Sequence, residues 1–167
     1  MIEFFALIVF PALMAFAASS DLLTMKIPNR VAIALTAAYL MFAYFLEVPL
    51  ATIGLHLACG AAMLAITFSM FCFGWMGGGD AKLAAATSVW MGWSLVLEYS
   101  LVASIAGGVL TLGILLARQW PLPLSLMRHK WIERLHDAKT GIPYGIALSF
   151  AGLVIYPQTE VWRAAFG

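Results

Sequence analysis

The chain has 167 residues, of which 63% are hydrophobic and only 10% are charged, and its formal net charge is +1. Soluble globular domains carry about 25% charged residues and 45–50% apolar ones. The composition therefore argues against a soluble enzyme and excludes intrinsic disorder. The small net charge provides no field that would attract nucleic acid. The sequence predicts a protein solvated by lipid, in which every charged residue is costly and informative.

Six apolar runs follow one another along the chain, at residues 4–20, 31–46, 51–73, 81–97, 100–117 and 142–157. A membrane-spanning helix needs about 20 mostly apolar residues, and these runs lack the alternation of a transmembrane strand. The segment from Met1 to Ala18 contains acidic Glu3 and no basic region, so we interpret the first run as a retained span and not a cleavable signal. The predicted fold is an all-α membrane protein, a bundle of about six transmembrane helices forming one domain over residues 1–167.

The basic residues sort to one side of this six-span arrangement. Eight of the nine lysines and arginines lie in the segments joining runs one and two, three and four, and five and six. Arg163 falls on the other side, together with four glutamates: Glu3, Glu47, Glu98 and Glu160. The positive-inside rule assigns the basic side to the cytoplasm, which places both termini outside.

The cytoplasmic loop at residues 118–141 is the only long polar segment. Four of its apolar residues recur at helical spacing, namely Leu124, Met127, Trp131 and Leu135, and basic residues occupy the other faces. This pattern predicts a short amphipathic helix on the anionic inner leaflet, with a role in docking substrate as the alternative. His129 and His136 lack a third ligand, so the sequence predicts no metal site.

Two aspartates do not sort with the outer glutamates. Asp21 ends the first run and is followed by Lys26 and the turn Ile27-Pro28-Asn29. Asp80 starts the fourth run, directly after three glycines, and Lys82 follows it. The predicted topology brings both carboxylates to the cytoplasmic side at one membrane depth.

A pair of carboxylates that shares one proton can hydrolyse a peptide bond. One carboxylate takes a proton from water, and the other protonates the carbonyl oxygen and then the leaving amine. Glycines before Asp80 would let a substrate backbone approach it closely. Two other interpretations stay open: helix capping or pairing, as between Asp21 and Lys26, and transport of ions or protons.

Three segments carry a resemblance to a known family. They are Asp21 with Ile27-Pro28-Asn29, the motif Gly77-x-Gly79-Asp80-x-Lys82, and Gly141-Ile142-Pro143-Tyr144-Gly145 before the last run. With these segments the sequence resembles type IV prepilin peptidases, which are integral-membrane aspartyl proteases of the GxGD type.

The resemblance implies that Asp21 and Asp80 are the catalytic pair and that no metal or cofactor is needed. It implies cleavage of prepilin or pseudopilin leader peptides, whose apolar helix stays in the lipid, at the cytoplasmic face of the bacterial inner membrane. The residues that would bind substrate or shape the site are Gly77, Gly78, Gly79, Lys82, Lys26, Pro28, Asn29, Pro143 and Tyr144.

Longer members of that family carry cytoplasmic cysteine pairs and an N-methylating region. This chain has only Cys59 and Cys72, and no room for an insertion between its first two runs. It therefore resembles the short branch found with Flp/Tad-type pili. Two alternatives are an intramembrane protease of the presenilin kind, which the position of Asp21 at a helix end disfavours, and a small transporter or channel. For the transporter, no second broken helix marks an internal repeat.

Overall fold

The computed structural model describes residues 2–123 and 128–166, and the side chains of residues 4–123 and 128–166. No strand occurs in these ranges, so the all-α prediction is confirmed for them. The helices are α1 (Ile2–Thr24), α2 (Asn29–Phe45), α3 (Leu50–Cys72), α4 (Gly78–Ala117), α5 (Lys130–His136), α6 (Tyr144–Ile155) and α7 (Glu160–Phe166), with a 3₁₀ turn at Tyr156–Gln158. Three of them, α1, α3 and α4, are long and apolar enough to cross a membrane. The chain is a helical membrane protein.

Aromatic side chains from α1, α2 and the 3₁₀ turn meet around Trp90 of α4. Its indole is fully buried and donates a hydrogen bond to the Leu35 carbonyl of α2 at 2.9 Å. Phe10 of α1 stacks on Tyr156 with ring centroids 4.3 Å apart. Outward-facing residues are equally apolar: Leu97, for example, is 79% exposed. A surface that is as apolar as the core fits lipid as the solvent.

The two arms of α4 meet at Gly92, which has non-helical torsions of φ 61° and ψ −176°. Ala84 and Ala103 lie on opposite sides of it and line the same cleft, although a straight helix would separate them by about 28 Å. The chain therefore folds back at Gly92. The predicted boundary between the fourth and fifth runs, at residues 98–99, was wrong. Glu98 and Tyr99 lie within the second arm, and Tyr99 is buried.

His56 of α3 packs against this reversal. Its Nδ1 donates to the Val89 carbonyl at 2.8 Å, and its ring stacks on Tyr39. Its Nε2 lies 3.5 Å from a carboxylate oxygen of Glu160. The histidine is 5% exposed and fills the space beside Gly92, so it acts as a packing residue.

We expect Gly92→Ala to lower the free energy of unfolding by about 1–3 kcal/mol, because L-residues rarely adopt these torsions. The new Cβ would also lie 2.7 Å from the His56 ring. The rate at which a maleimide labels buried Cys59, in a Cys72→Ser background, reports the loss of packing in detergent. Gly54→Ala is the control, since nothing lies within 4 Å of its Cβ position. Equal labelling of both variants would contradict the strain at Gly92.

The segment after α4 is tied to the rest of the protein by arginines. Arg118 donates to the Leu135 carbonyl at 2.8 Å, and Arg134 donates to the Leu23 carbonyl at the end of α1, at 3.0 Å. Helix α5 covers only part of the predicted amphipathic helix, with Trp131 and Leu135 half-buried. The predicted contributions of Leu124 and Met127 fall outside the described residues. These bonds hold α5 against the end of the bundle that carries Asp21.

Candidate active site

Asp21 lies in the last turn of α1 and is 5% exposed. Its Oδ2 accepts a hydrogen bond of 2.7 Å from the backbone amide of Gly145. Pro143 precedes α6, so Gly145 lies in the first turn of this helix. Amides in a first helical turn have no partner within the helix, and the positive end of the helix dipole favours a carboxylate there. The start of α6 thus fixes the orientation of the Asp21 side chain.

Gly145 allows this contact because it has no side chain. A Cβ at this position would lie 2.8 Å from Asp21 Oδ2 and 2.7 Å from Ile27 Cδ1. Neither Gly145 nor Ile27 was among the predicted site residues. Gly145 belongs to the motif around Pro143-Tyr144, but only the packing of α6 against α1 reveals its role.

Asp80 is the third residue of α4, after the N-cap Gly77. The Asp80 carboxylate folds back towards Gly77. A Cβ at Gly77 would lie 2.8 Å from Asp80 Oδ2. Position N3 is where an acidic side chain reaches back towards the N-cap backbone. The other oxygen, Oδ1, is buried and has no hydrogen-bond partner among the described residues. One oxygen of Asp80 therefore lies against Gly77, and the other is buried without a partner among the described residues.

The turn after α1 brings the two aspartates together. Ile27 lies between Gly145 and Gly79. A Cβ added at Gly79 would lie 3.2 Å from Ile27 Cβ. Ile27 thus contacts both the glycine whose amide donates to Asp21 and the glycine that precedes Asp80. Gly78 is also close to protein, since a Cβ there would lie 3.3 Å from the Phe71 ring. The three glycines serve contacts within the protein.

Comparison with known proteins yields one family. The model of the type IV leader peptidase family matches residues 8–112, which include both aspartates and the glycines before Asp80. The chain belongs to the type IV leader peptidase family. No curated protein and no solved structure matches it. The resemblance seen in the sequence is confirmed, and the protein is a membrane peptidase.

Lys82 and Asn29 link the two motif segments of the peptidase. Lys82 Nζ donates to Asn29 Oδ1 at 2.9 Å, joining α4 to the start of α2 directly after Pro28. Lys26 is exposed, and its carbonyl accepts hydrogen bonds from Ser20 and Thr24. Among the described residues neither aspartate forms an ion pair, so Asp21 does not pair with Lys26. The polar residues near the two aspartates therefore hold the start of α2 and the turn after α1 in place.

Tyr144 faces the second arm of α4. Its hydroxyl lies 3.0 Å from Thr111 Oγ1, and its ring fills the space beside Gly107, where a Cβ would be 2.9 Å away. Pro143 is buried and forms the N-cap of α6. Both residues fix where α6 begins and therefore where the Gly145 amide points. Within the described ranges, no three side chains of His, Cys, Asp or Glu form a set that could hold a metal ion.

We expect Lys82→Met and Asn29→Ala each to slow cleavage by about 3- to 10-fold, because one hydrogen bond contributes about 1 kcal/mol. The double variant should be no slower than either single variant, since both remove the same bond. The measurement is the initial rate of leader-peptide release at equal protein in the membrane. Lys130→Met, an exposed lysine of α5, should retain full activity. Fully additive losses would show that the two residues act separately.

Proposed function

We propose that this peptidase is an aspartyl endopeptidase that removes leader peptides from prepilin-like, Flp-type substrates at the cytoplasmic face of the membrane. The observation that carries the proposal is that the segments of Asp21 and Asp80 come from separate helices and meet around Ile27, within the part of the chain matched by the family. Both carboxylates are partly or fully buried, Asp21 accepts from a backbone amide and Asp80 lies against Gly77, and such preorganisation is what acid–base catalysis requires.

The proposed reaction uses one water molecule and no cofactor. One carboxylate takes a proton from water as the water oxygen attacks the scissile carbonyl carbon, while the protonated partner gives its proton to the carbonyl oxygen. When the tetrahedral intermediate collapses, the C–N bond breaks and the leaving amine takes up a proton from the pair. The Gly145 amide holds Asp21 Oδ2 during these steps, and Asp80 Oδ1, which has no partner among the described residues, is the oxygen free to exchange the proton.

The arrangement of basic residues supports the cytoplasmic orientation. Lys82, Arg118 and Arg134 all lie at the end of the bundle that carries the aspartates, as their contacts with Asn29, Leu135 and Leu23 require. Positive residues favour the cytoplasmic side, and a surface of this kind also suits the anionic inner leaflet. In the proposed arrangement six segments of a single domain cross the inner membrane, both termini are periplasmic, and α5 lies on the inner leaflet.

The proposal is tested with the full-length protein in membranes that contain a prepilin-like substrate. We expect a shortened product whose new N-terminus follows the leader, and the same rate in the presence of EDTA. Inhibition by EDTA that is reversed by zinc would contradict the aspartate mechanism and indicate a metal-dependent one. Ion flux that depends on Asp80, without any cleavage, would instead favour the transporter alternative.

A further inference from the structure

A cleft of about 520 Å³ opens between α3, the two arms of α4 and α6. Its lining is mostly apolar and includes several small residues: Ala62, Ala84, Ser100, Ala103, Ser104 and Ala147. Small residues let a second helix approach closely within a membrane. Residues at its rim are exposed, such as Ile66 at 59% and Leu97 at 79%. The cleft therefore opens sideways, at the depth where apolar helices meet lipid.

The cleft is lined by residues that lie next to the aspartate segments along the chain. Trp75 and Met76 line it directly before the glycines that lead to Asp80. Tyr144, which precedes the donor to Asp21, lines another part of it. Tyr99 also lines the cleft and is within electrostatic range of Asp80. A chain segment lying in this cleft would therefore pass residues that directly precede both parts of the candidate site.

The Tyr99 hydroxyl is an unusual group in this lining. The residue is 1% exposed and its hydroxyl lies near Thr87, but no hydrogen bond within 3.5 Å joins it to any of the described residues. Buried tyrosine hydroxyls usually find a partner, because leaving one unpaired costs free energy. Lipid tails offer no acceptor. A peptide segment does, because a helix that unwinds for cleavage exposes carbonyl oxygens that need donors where water is scarce.

We propose that this cleft docks the apolar helix of the leader-peptide substrate, and that the Tyr99 hydroxyl donates to a carbonyl freed where that helix unwinds beside the scissile bond. This inference rests on the proposed function. It assigns Tyr99 a positioning role and predicts that the substrate approaches from within the membrane, between α3 and the second arm of α4.

The first test is disulfide trapping in membranes. The protein carries Asp80→Asn to prevent cleavage and Cys59→Ala and Cys72→Ser to remove its own thiols, and the substrate carries one cysteine in its apolar helix. Ser104→Cys in the cleft should cross-link at least about tenfold more efficiently than Ala15→Cys, which is exposed on α1 away from the cleft. Equal yields at the two positions, as expected for a cleft filled by lipid, would overturn the inference.

The second test is Tyr99→Phe in the otherwise unchanged protein. Cleavage should slow by about 5- to 10-fold, whereas the thermal midpoint should stay the same or rise, because the variant removes an unpaired buried hydroxyl. Tyr44→Phe, at a residue that is 78% exposed, is the matched control. An unchanged cleavage rate in Tyr99→Phe would contradict the positioning role of the Tyr99 hydroxyl. Failure of the wild-type protein to cleave would overturn the proposed function itself, whereas cleavage without trapping would overturn only the docking site.

Discussion

Replacing Asp80 by asparagine is expected to reduce leader-peptide cleavage by at least about 100-fold, and Asp21→Asn should do the same. Asparagine keeps the size of each side chain but cannot exchange a proton, and general acid–base catalysis contributes about 10²–10⁴-fold to a rate. In Asp21→Asn the amide oxygen can still accept from Gly145, so the position of the side chain is kept. The double variant should be hardly slower than either single variant, because the two residues act as a unit.

The matched control for these variants is Asp137→Asn. This aspartate is exposed and lies just after α5, and the variant should keep full activity. Product release and the amount of protein in the membrane are measured together, so that loss of folding is separated from loss of chemistry. A wild-type rate in either Asp21→Asn or Asp80→Asn would disprove the assignment of the pair.

Gly145→Ala is expected to have the second-largest effect, a loss of about 10- to 100-fold in cleavage rate. The added Cβ would lie 2.8 Å from Asp21 Oδ2 and 3.0 Å from Asp21 Cβ, so the carboxylate must move. A displacement of about 1 Å in a catalytic group can cost about 10²-fold. The amide that donates to Asp21 would be pushed away by the same change.

Gly141→Ala is the control within the same segment, since nothing lies within 4 Å of its Cβ position. It should cleave at the wild-type rate, and both variants should accumulate in the membrane to the same level. Equal activity of the two variants would show that Asp21 tolerates displacement, which contradicts a fixed catalytic position.

Hydrophobicity and charge predicted the helical membrane fold, because lipid imposes strong constraints on both. The paired motifs also predicted which segments converge, and Lys82 and Asn29 do meet. The fold-back at Gly92 was missed because an apolar run that contains one glycine cannot be told by composition from a run that forms a continuous helix. Glu98 was the more visible signal for a boundary, but an exposed acid is compatible with a helix that continues.

The contacts around the aspartates could not be predicted from the sequence, for a different reason. The sequence shows that the segment from Gly77 to Gly79 requires small residues, but not what fills the space. In the structure that space holds Ile27, Phe71 and the Asp80 carboxylate itself. Gly145 was missed because its partner is 124 residues away, and such a distance leaves no local pattern.

The long separation between Asp21 and its amide donor has a consequence for biosynthesis. Chains are made from the N-terminus, so both aspartates have left the ribosome well before Gly145 is synthesised. Until α6 is made and docked, Asp21 lacks the hydrogen bond that orients it. A partly synthesised chain thus lacks the complete site. The peptidase would not cleave other nascent membrane proteins until its own α6 has docked.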